Sequence, residues 1–278
     1  MKKIAAVIDG LKFSDSTLQY TLSLARHEEA HLTGIFPDDF IYNSFSMYNM
    51  ITSGASPKQI ADLEAADTRK RDEAAEKFVR ACQASGFTYS VHRDKSIAIQ
   101  EVLHESIYAD LMIIGMQEDF RREEQPQPTE FIRNLLTDVQ CPVLLVPPVY
   151  TDIKKVILLY DGEPSSVFAI KMCCYLLPWI KQLPVEILSV NPPGTGLHLG
   201  DNRLMREFVK RHFPSVEYRV LNGEAEEKIL YQLAPQTPDT LVVAGAYRRG
   251  MVSRWFRESM ADVLMKNLAL PLFIAHNK

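Results

Sequence analysis

Two Asp-Gly pairs and two later glycines are the residues of this chain best placed to do chemistry. Asp9-Gly10 and Asp161-Gly162 each close an apolar run, Ile4 to Ile8 and Val156 to Tyr160, and Gly115 and Gly245 close two more, Leu111 to Ile114 and Leu241 to Ala244. A glycine after a strand and ahead of a helix lets backbone N–H groups approach a phosphate, and the helix N-terminus adds partial positive charge. In an open parallel sheet, ligands bind beyond the carboxyl ends of the strands, where strand order reverses. An aspartate and a glycine at two such ends would therefore converge on one anion or nucleotide crevice in each half of the chain.

The two loops that follow these glycines differ in charge. After Gly245 come Arg248, Arg249, Arg254 and Arg257, with Gly250 among them and Ser259 beyond. Guanidinium groups bind phosphate oxygens through charge-assisted, often bidentate bonds, although such a loop also fits a plain solvated face. After Gly115 come Glu118, Asp119, Glu123, Glu124 and Glu130, with Pro126 and Pro128. Those carboxylates oppose a triphosphate unless a metal intervenes. Asp9 is then expected to be a structural remnant whose carboxylate caps the turn into the first helix.

Other chemistry finds little support. Cys82, Cys141, Cys173 and Cys174 have no metal-ligand spacing. Cys173 and Cys174 fall in an apolar helical run, where a free cysteine behaves as a small hydrophobe. A net charge of −4 gives no electrostatic footprint for nucleic acid or an anionic membrane. The hydrophobic share of 46% and charged share of 24% are those of a soluble globular protein. No apolar stretch reaches the roughly 18 residues of a membrane span, and the short run after Met1-Lys2-Lys3 meets Asp9 too soon for a secretory signal. A cytoplasmic protein is expected.

The elements that must position these residues occur twice. Lys3 to Gly10 recurs as Lys155 to Gly162, Ala109 to Gly115 as Pro238 to Gly245, and Cys141 to Val146 as Leu270 to Ala275. Landmarks repeated in the same order read as an internal duplication. Each copy alternates apolar strands with helices, so each is expected to be a doubly wound α/β unit around a parallel sheet of five strands. The expected domains are 1–149 and 150–278, joined near Pro147-Pro148. The first copy is longer in its middle. There Tyr42 to Pro57 reads as a mobile loop and Lys58 to Ala84 as a long, charged amphipathic helix.

These residues resemble the universal stress proteins, in a tandem two-domain form and over nearly the whole chain. The likeness rests on the strand-Asp-Gly opening with Ser soon after, on Ala-Asp-Leu-Met-Ile-Ile-Gly at 109–115, and on Cys-Pro-Val-Leu-Leu-Val at 141–146. The resemblance implies a Rossmann-like fold of the adenine nucleotide alpha hydrolase type, with the copies related by pseudo-two-fold symmetry. Final strands often pair in family dimers, which here implies antiparallel pairing of Val143 to Val146 with Leu272 to Ala275 inside one chain. Monomer and homodimer both stay open.

Family members that bind ATP carry G-x2-G-x9-G-[ST] after the fourth strand. In the second copy that motif starts at Gly245, puts Arg248 and Glu258 where glycines belong, and ends on Ser259. Asp161 and Val190 match positions that face adenine and ribose. The tentative nucleotide set is therefore Asp161, Val190, Gly245, Arg248, Gly250 and Ser259, with Asp9 and Gly115 marking a degenerate site in the first copy. No cofactor is firmly implied, and ATP or a related nucleotide is left open for the second domain alone. A non-catalytic stress-response protein with unidentified protein partners is the leading function. A scaffold without nucleotide is the alternative, and a nucleotide-dependent transferase or ligase lacks its motifs.

Overall fold

The computed structural model describes residues 2–39, 42–245 and 259–276. The chain forms two compact units, Met1–Gln140 and Cys141–Lys278.

In the first unit β1 (Lys2–Val7) leads through the Asp9-Gly10 turn into α1 (Asp15–Ala25), whose N-cap Ser14 accepts the N–H of Thr17. Next come β2 (Ala30–Ile35), the two-residue β3 (Asp38–Asp39), α2 (Met47–Thr52) and the 28-residue α3 (Pro57–Ala84). Ser56 and Gln59 make a reciprocal capping box at the start of α3, and Pro57 fills its first position. The unit continues with β4 (Thr88–His92), β5 (Lys95–Ser96), α4 (Ala98–Ser106), β6 (Leu111–Gly115) and α5 (Glu130–Asp138). Its main sheet runs β6-β1-β2-β4, all parallel, and β3 pairs with β5 beside it.

The second unit opens with β7 (Val143–Val146) and β8 (Lys155–Leu159), followed by α6 (Pro164–Leu176) and a 3-10 turn, Pro178–Gln182. Then come β9 (Val185–Asn191), α7 (Asn202–His212), β10 (Glu217–Asn222), α8 (Ala225–Leu233), β11 (Thr240–Gly245), α9 (Met260–Asn267) and β12 (Leu272–Ala275). The order β11-β8-β9-β10 matches β6-β1-β2-β4 position for position. Matching strand order is what a duplicated Rossmann-like unit requires. Beyond β11 lies β12, which bonds parallel to β11 on one side and antiparallel to β7 on the other, with Phe273 opposite Leu144.

The central strands are apolar on both faces because helices cover both. Ala5, Ala6, Val7, Met112, Ile113, Ile114, Leu144, Ile157, Val242 and Val243 have no accessible surface. All four cysteines are free and buried. The stretch 42–57 departs from the expected mobile loop: Met47–Thr52 is helical under an N-cap at Ser46, and Tyr42 is 5% exposed. Asp67, on α3, accepts both the N–H and the hydroxyl of Ser44. No described helix is long and apolar enough to cross a membrane.

Candidate functional site

Register places Asp9 and Gly115 where the reading of the sequence puts them, at the carboxyl ends of neighbouring strands. Val7 lies opposite both Ile35 and Ile114, so the chain leaves β1 and β6 at the same level. Asp9 is 1% exposed. Its Oδ1 accepts the N–H of Leu11 at 2.7 Å, the local turn closure expected of it, and its Oδ2 accepts the phenol of Tyr42 at 2.7 Å. Burial pushes the Asp9 carboxyl above its ordinary range, while the Tyr42 and backbone hydrogen bonds pull the other way. The Tyr42 phenol is held far more strongly protonated than usual, first by burial and then by the charge of Asp9.

A strap holds Tyr42 in place. Arg71 on α3 is 8% exposed, donates to the Tyr42 carbonyl at 2.6 Å and pairs with Asp38 at 3.3 Å. A Cβ on Gly10 would lie 2.9 Å from Arg71 Cγ and 3.3 Å from its Cα. Gly10 is therefore glycine because α3 crosses the Asp-Gly turn at backbone distance, not because a phosphate does.

Beyond Gly115 the chain turns at once, with the N–H of Glu118 donating to the Gly115 carbonyl at 3.1 Å. The Glu118 side chain folds back so that Cγ and Oε1 stand 3.3 Å from where a Gly115 Cβ would be. Its carboxyl is held well above the ordinary range, by burial and then by the charges of Asp9 and Asp119, against the opposing pull of Lys12. Thr129 donates to the Glu118 carbonyl at 2.6 Å and caps α5 by accepting the N–H of Ile132. Thr129 follows Gly115 at the same spacing as Ser259 follows Gly245. That spacing was the signal by which the sequence reading could have found it. Tyr42 carried no such signal, because its partnership with Asp9 is purely tertiary.

In the second unit the equivalent positions are more open. Asp161 is exposed, and its Oδ1 accepts the N–H of Glu163 at 2.9 Å. Val190 is half-buried near the end of β9, level with Asp161 because Leu188 pairs with Leu159 two residues earlier. Gly245 ends β11, but a Cβ there would stand 2.5 Å from the carbonyl carbon of Ser165 and 2.7 Å from the N of Ser166. The glycine admits the first turn of α6. Ser259 is the N-cap of α9: its hydroxyl accepts the N–H of Asp262, whose carboxylate accepts the N–H of Ser259. Arg248, Gly250 and the other arginines of that loop lie outside the described residues. Tyr160 donates to the Gly200 carbonyl at 3.0 Å, tying the loop after β9 to the Asp161 turn. Among the described residues no group of three or more His, Cys, Asp or Glu is arranged to hold a metal ion.

No family model matches the sequence, and no curated protein matches it. Solved structures do. The chain matches a universal stress protein from Archaeoglobus fulgidus with a TM-score of 0.71 at 14% identity, covering 99% of this chain and 98% of that one. A putative universal stress protein from Pseudomonas aeruginosa gives 0.63 at 14% identity, with 99% and 92% covered. The cytoplasmic domain of a prokaryotic cation chloride cotransporter gives 0.53 at 11% identity, with 99% and 95% covered. The fold of this chain is that of the universal stress proteins, in tandem.

Proposed function

We propose that the chain is a non-catalytic, cytoplasmic stress-response protein of the universal stress type, in which only the second domain takes a nucleotide or a similar anion. The observation that carries this reading is the contrast between two equivalent aspartates. Asp9 is 1% exposed and sealed by Tyr42, whereas Asp161 is exposed and, among the described residues, accepts the N–H of Glu163 within its own turn. Glu118 adds a carboxyl where a phosphate would need a donor. The helix N-terminus at Ser259 and the arginines after Gly245 support an anion in the second domain.

Calorimetric titration with ATP and AMP tests it. Binding at one site per chain, lost in Asp161→Ala and retained in Asp9→Ala, is the expected result, and equal loss in both would overturn it. Fast hydrolysis needs a positioned water, an orienting group and a held metal. Turnover at or above about 1 s⁻¹, the lower end of ordinary enzymes, would show the protein to be an enzyme.

A scaffold without nucleotide is the second reading, and it draws on Tyr48 and Ile51. These are 75% and 63% exposed on α2, a helix with no counterpart among the described residues of the second unit. Recovery of a partner by the wild-type chain but not by Tyr48→Ser/Ile51→Ser, with no heat on adding ATP, would favour it.

A further inference from the structure

One helical layer of the second unit carries charge of almost a single sign. Together α6, the 3-10 turn after it and α7 hold six Lys and Arg residues (Lys171, Lys181, Arg203, Arg206, Lys210 and Arg211) against one acid, Glu207. Their counterparts in the first unit, α1 and α3, hold six against seven, and there Lys77 pairs with Asp15 and Arg80 with Glu76. Duplication therefore does not explain the bias. Among the described residues the ion pairs of the second unit join Lys155 and Arg219 to Glu186, Arg219 to Glu217 and Lys228 to Glu227, and none involves this layer. Arg206 lies over the Tyr218 ring, 4.5 Å from its centroid. Helix stability accounts for only part of the rest. Lys210 and Arg211 suit the negative end of the α7 dipole, but Arg203 stands in a first turn that holds no acid, where a cation is unfavourable.

Three of the cations gather around His212. Lys181 and Arg211 line a cleft of about 140 Å³ with His212, between the 3-10 turn and the end of α7. Burial, and then the charge of Lys171, push the His212 imidazole below its ordinary pKa. The His212 ring stands 5.6 Å from Tyr175 on α6 and 4.6 Å from Phe208 on α7. Leu204, Phe208 and Arg211 share one face of α7 by their spacing. Tyr175 is 56% exposed and Leu204 58%. Exposed apolar side chains beside cations without acidic partners fit an occupant that carries both carboxylates and apolar groups. A nucleic acid or an anionic membrane would extend past this layer and meet the remainder of a chain whose net charge is −4.

We propose that α6, the 3-10 turn and α7 form a docking surface for an acidic, partly apolar segment of another protein. Its carboxylates meet Lys171, Lys181 and Arg211, and its apolar side chains cover Tyr175 and Leu204. Asp161, Val190, Gly245 and Ser259 take no part, so the docking surface does not depend on the nucleotide reading.

Fluorescence anisotropy on the full chain tests it with a short labelled peptide of glutamate and leucine. The peptide is expected to saturate at one per chain and to bind more weakly as salt rises. A peptide with glutamine for every glutamate, and one of glutamate alone, each bind at least tenfold more weakly, a difference of about 1.4 kcal/mol. Lys181→Gln/Arg211→Gln, at two exposed positions, weakens the peptide by about tenfold or more with circular dichroism unchanged. Arg69→Gln/Lys70→Gln, the same loss of charge at exposed positions of α3, leaves binding unaltered. Absence of saturable binding, equal affinity for either control peptide, or equal loss in the two double variants would overturn the proposal. So would tighter binding of a DNA oligonucleotide or of phosphatidylserine vesicles, or a dimer of the chain that Lys181→Gln/Arg211→Gln dissolves.

Discussion

The phenol of Tyr42 donates a 2.7 Å hydrogen bond to Oδ2 of Asp9, across 33 residues of sequence. The carboxylate at the end of β1 is thus occupied by the chain itself. Tyr42→Phe keeps the ring and removes the donor, leaving a buried acceptor short of a partner at a cost of about 1–3 kcal/mol. Hydrogen exchange in the first unit should accelerate accordingly, with the second unit unaffected. Unchanged exchange in Tyr42→Phe would mean that the bond adds nothing to the closure.

The same closure makes the first unit sensitive to pH. Asp9 and Glu118 both have folded-state pKa values above the ordinary carboxylate range, chiefly through burial. The folded state therefore binds more protons than the unfolded one. Their contribution to stability is full below an unfolded pKa of about 4 and is lost as pH rises through the raised folded values. Glu118→Gln should flatten this fall and stabilise the first unit at neutral pH, by about 1.4 kcal/mol for every tenfold by which burial weakens the acid. Urea midpoints across this range measure it, and a variant with the wild-type slope would refute the account.

Gly245 and Gly115 should respond differently to alanine. At 245 the new methyl group meets backbone, 2.5 Å from the Ser165 carbonyl carbon, while at 115 it meets the far end of Glu118 at 3.3 Å and the Thr17 hydroxyl at 3.6 Å. Backbone cannot swing aside, so Gly245→Ala costs about 1–3 kcal/mol and Gly115→Ala less. Melting temperatures of the two variants decide the point. Loss of nucleotide binding in a Gly245 variant would for the same reason not identify a phosphate contact.

Ser259 needs a similar control. Removing the N-cap in Ser259→Ala costs about 1 kcal/mol with no ligand present, and Ser259→Thr restores it. Denaturant titrations of the two variants, compared with their ATP titrations, separate the cap from any phosphate contact. A Ser259→Ala chain as stable as wild type would show that the capping box contributes nothing.

Much of the fold was legible because it is written in local pattern. The apolar runs at 111–114 and 241–244 could only be strands covered on both faces, and the repeated Asp-Gly and Gly landmarks fixed the equivalence of β1 with β8 and β6 with β11. The long α3 was legible from its charged amphipathic pattern. The closure of the first crevice was not. The polar composition of 42–57 is that of a loop, and only the approach of α3 to Gly10 turns its first residue inward onto Asp9. The packing of the glycines was not legible either. At Gly10 and Gly245 an added Cβ would meet α3 and α6, contacts between segments far apart in sequence.

The antiparallel bond between β7 and β12 also sets an order of events. Within the second unit β7 hydrogen-bonds to β12 alone, and Leu145 finds its partner Leu272 only after four intervening strands and helices α6 to α9 have left the ribosome. Through most of translation the apolar Val143–Val146 must wait for that partner, and β11 must wait for the same strand on its own free edge. Completion of this sheet is therefore a late, long-range step, which slows folding. In this chain it falls to the four residues Leu272–Ala275 to close two strand edges at once.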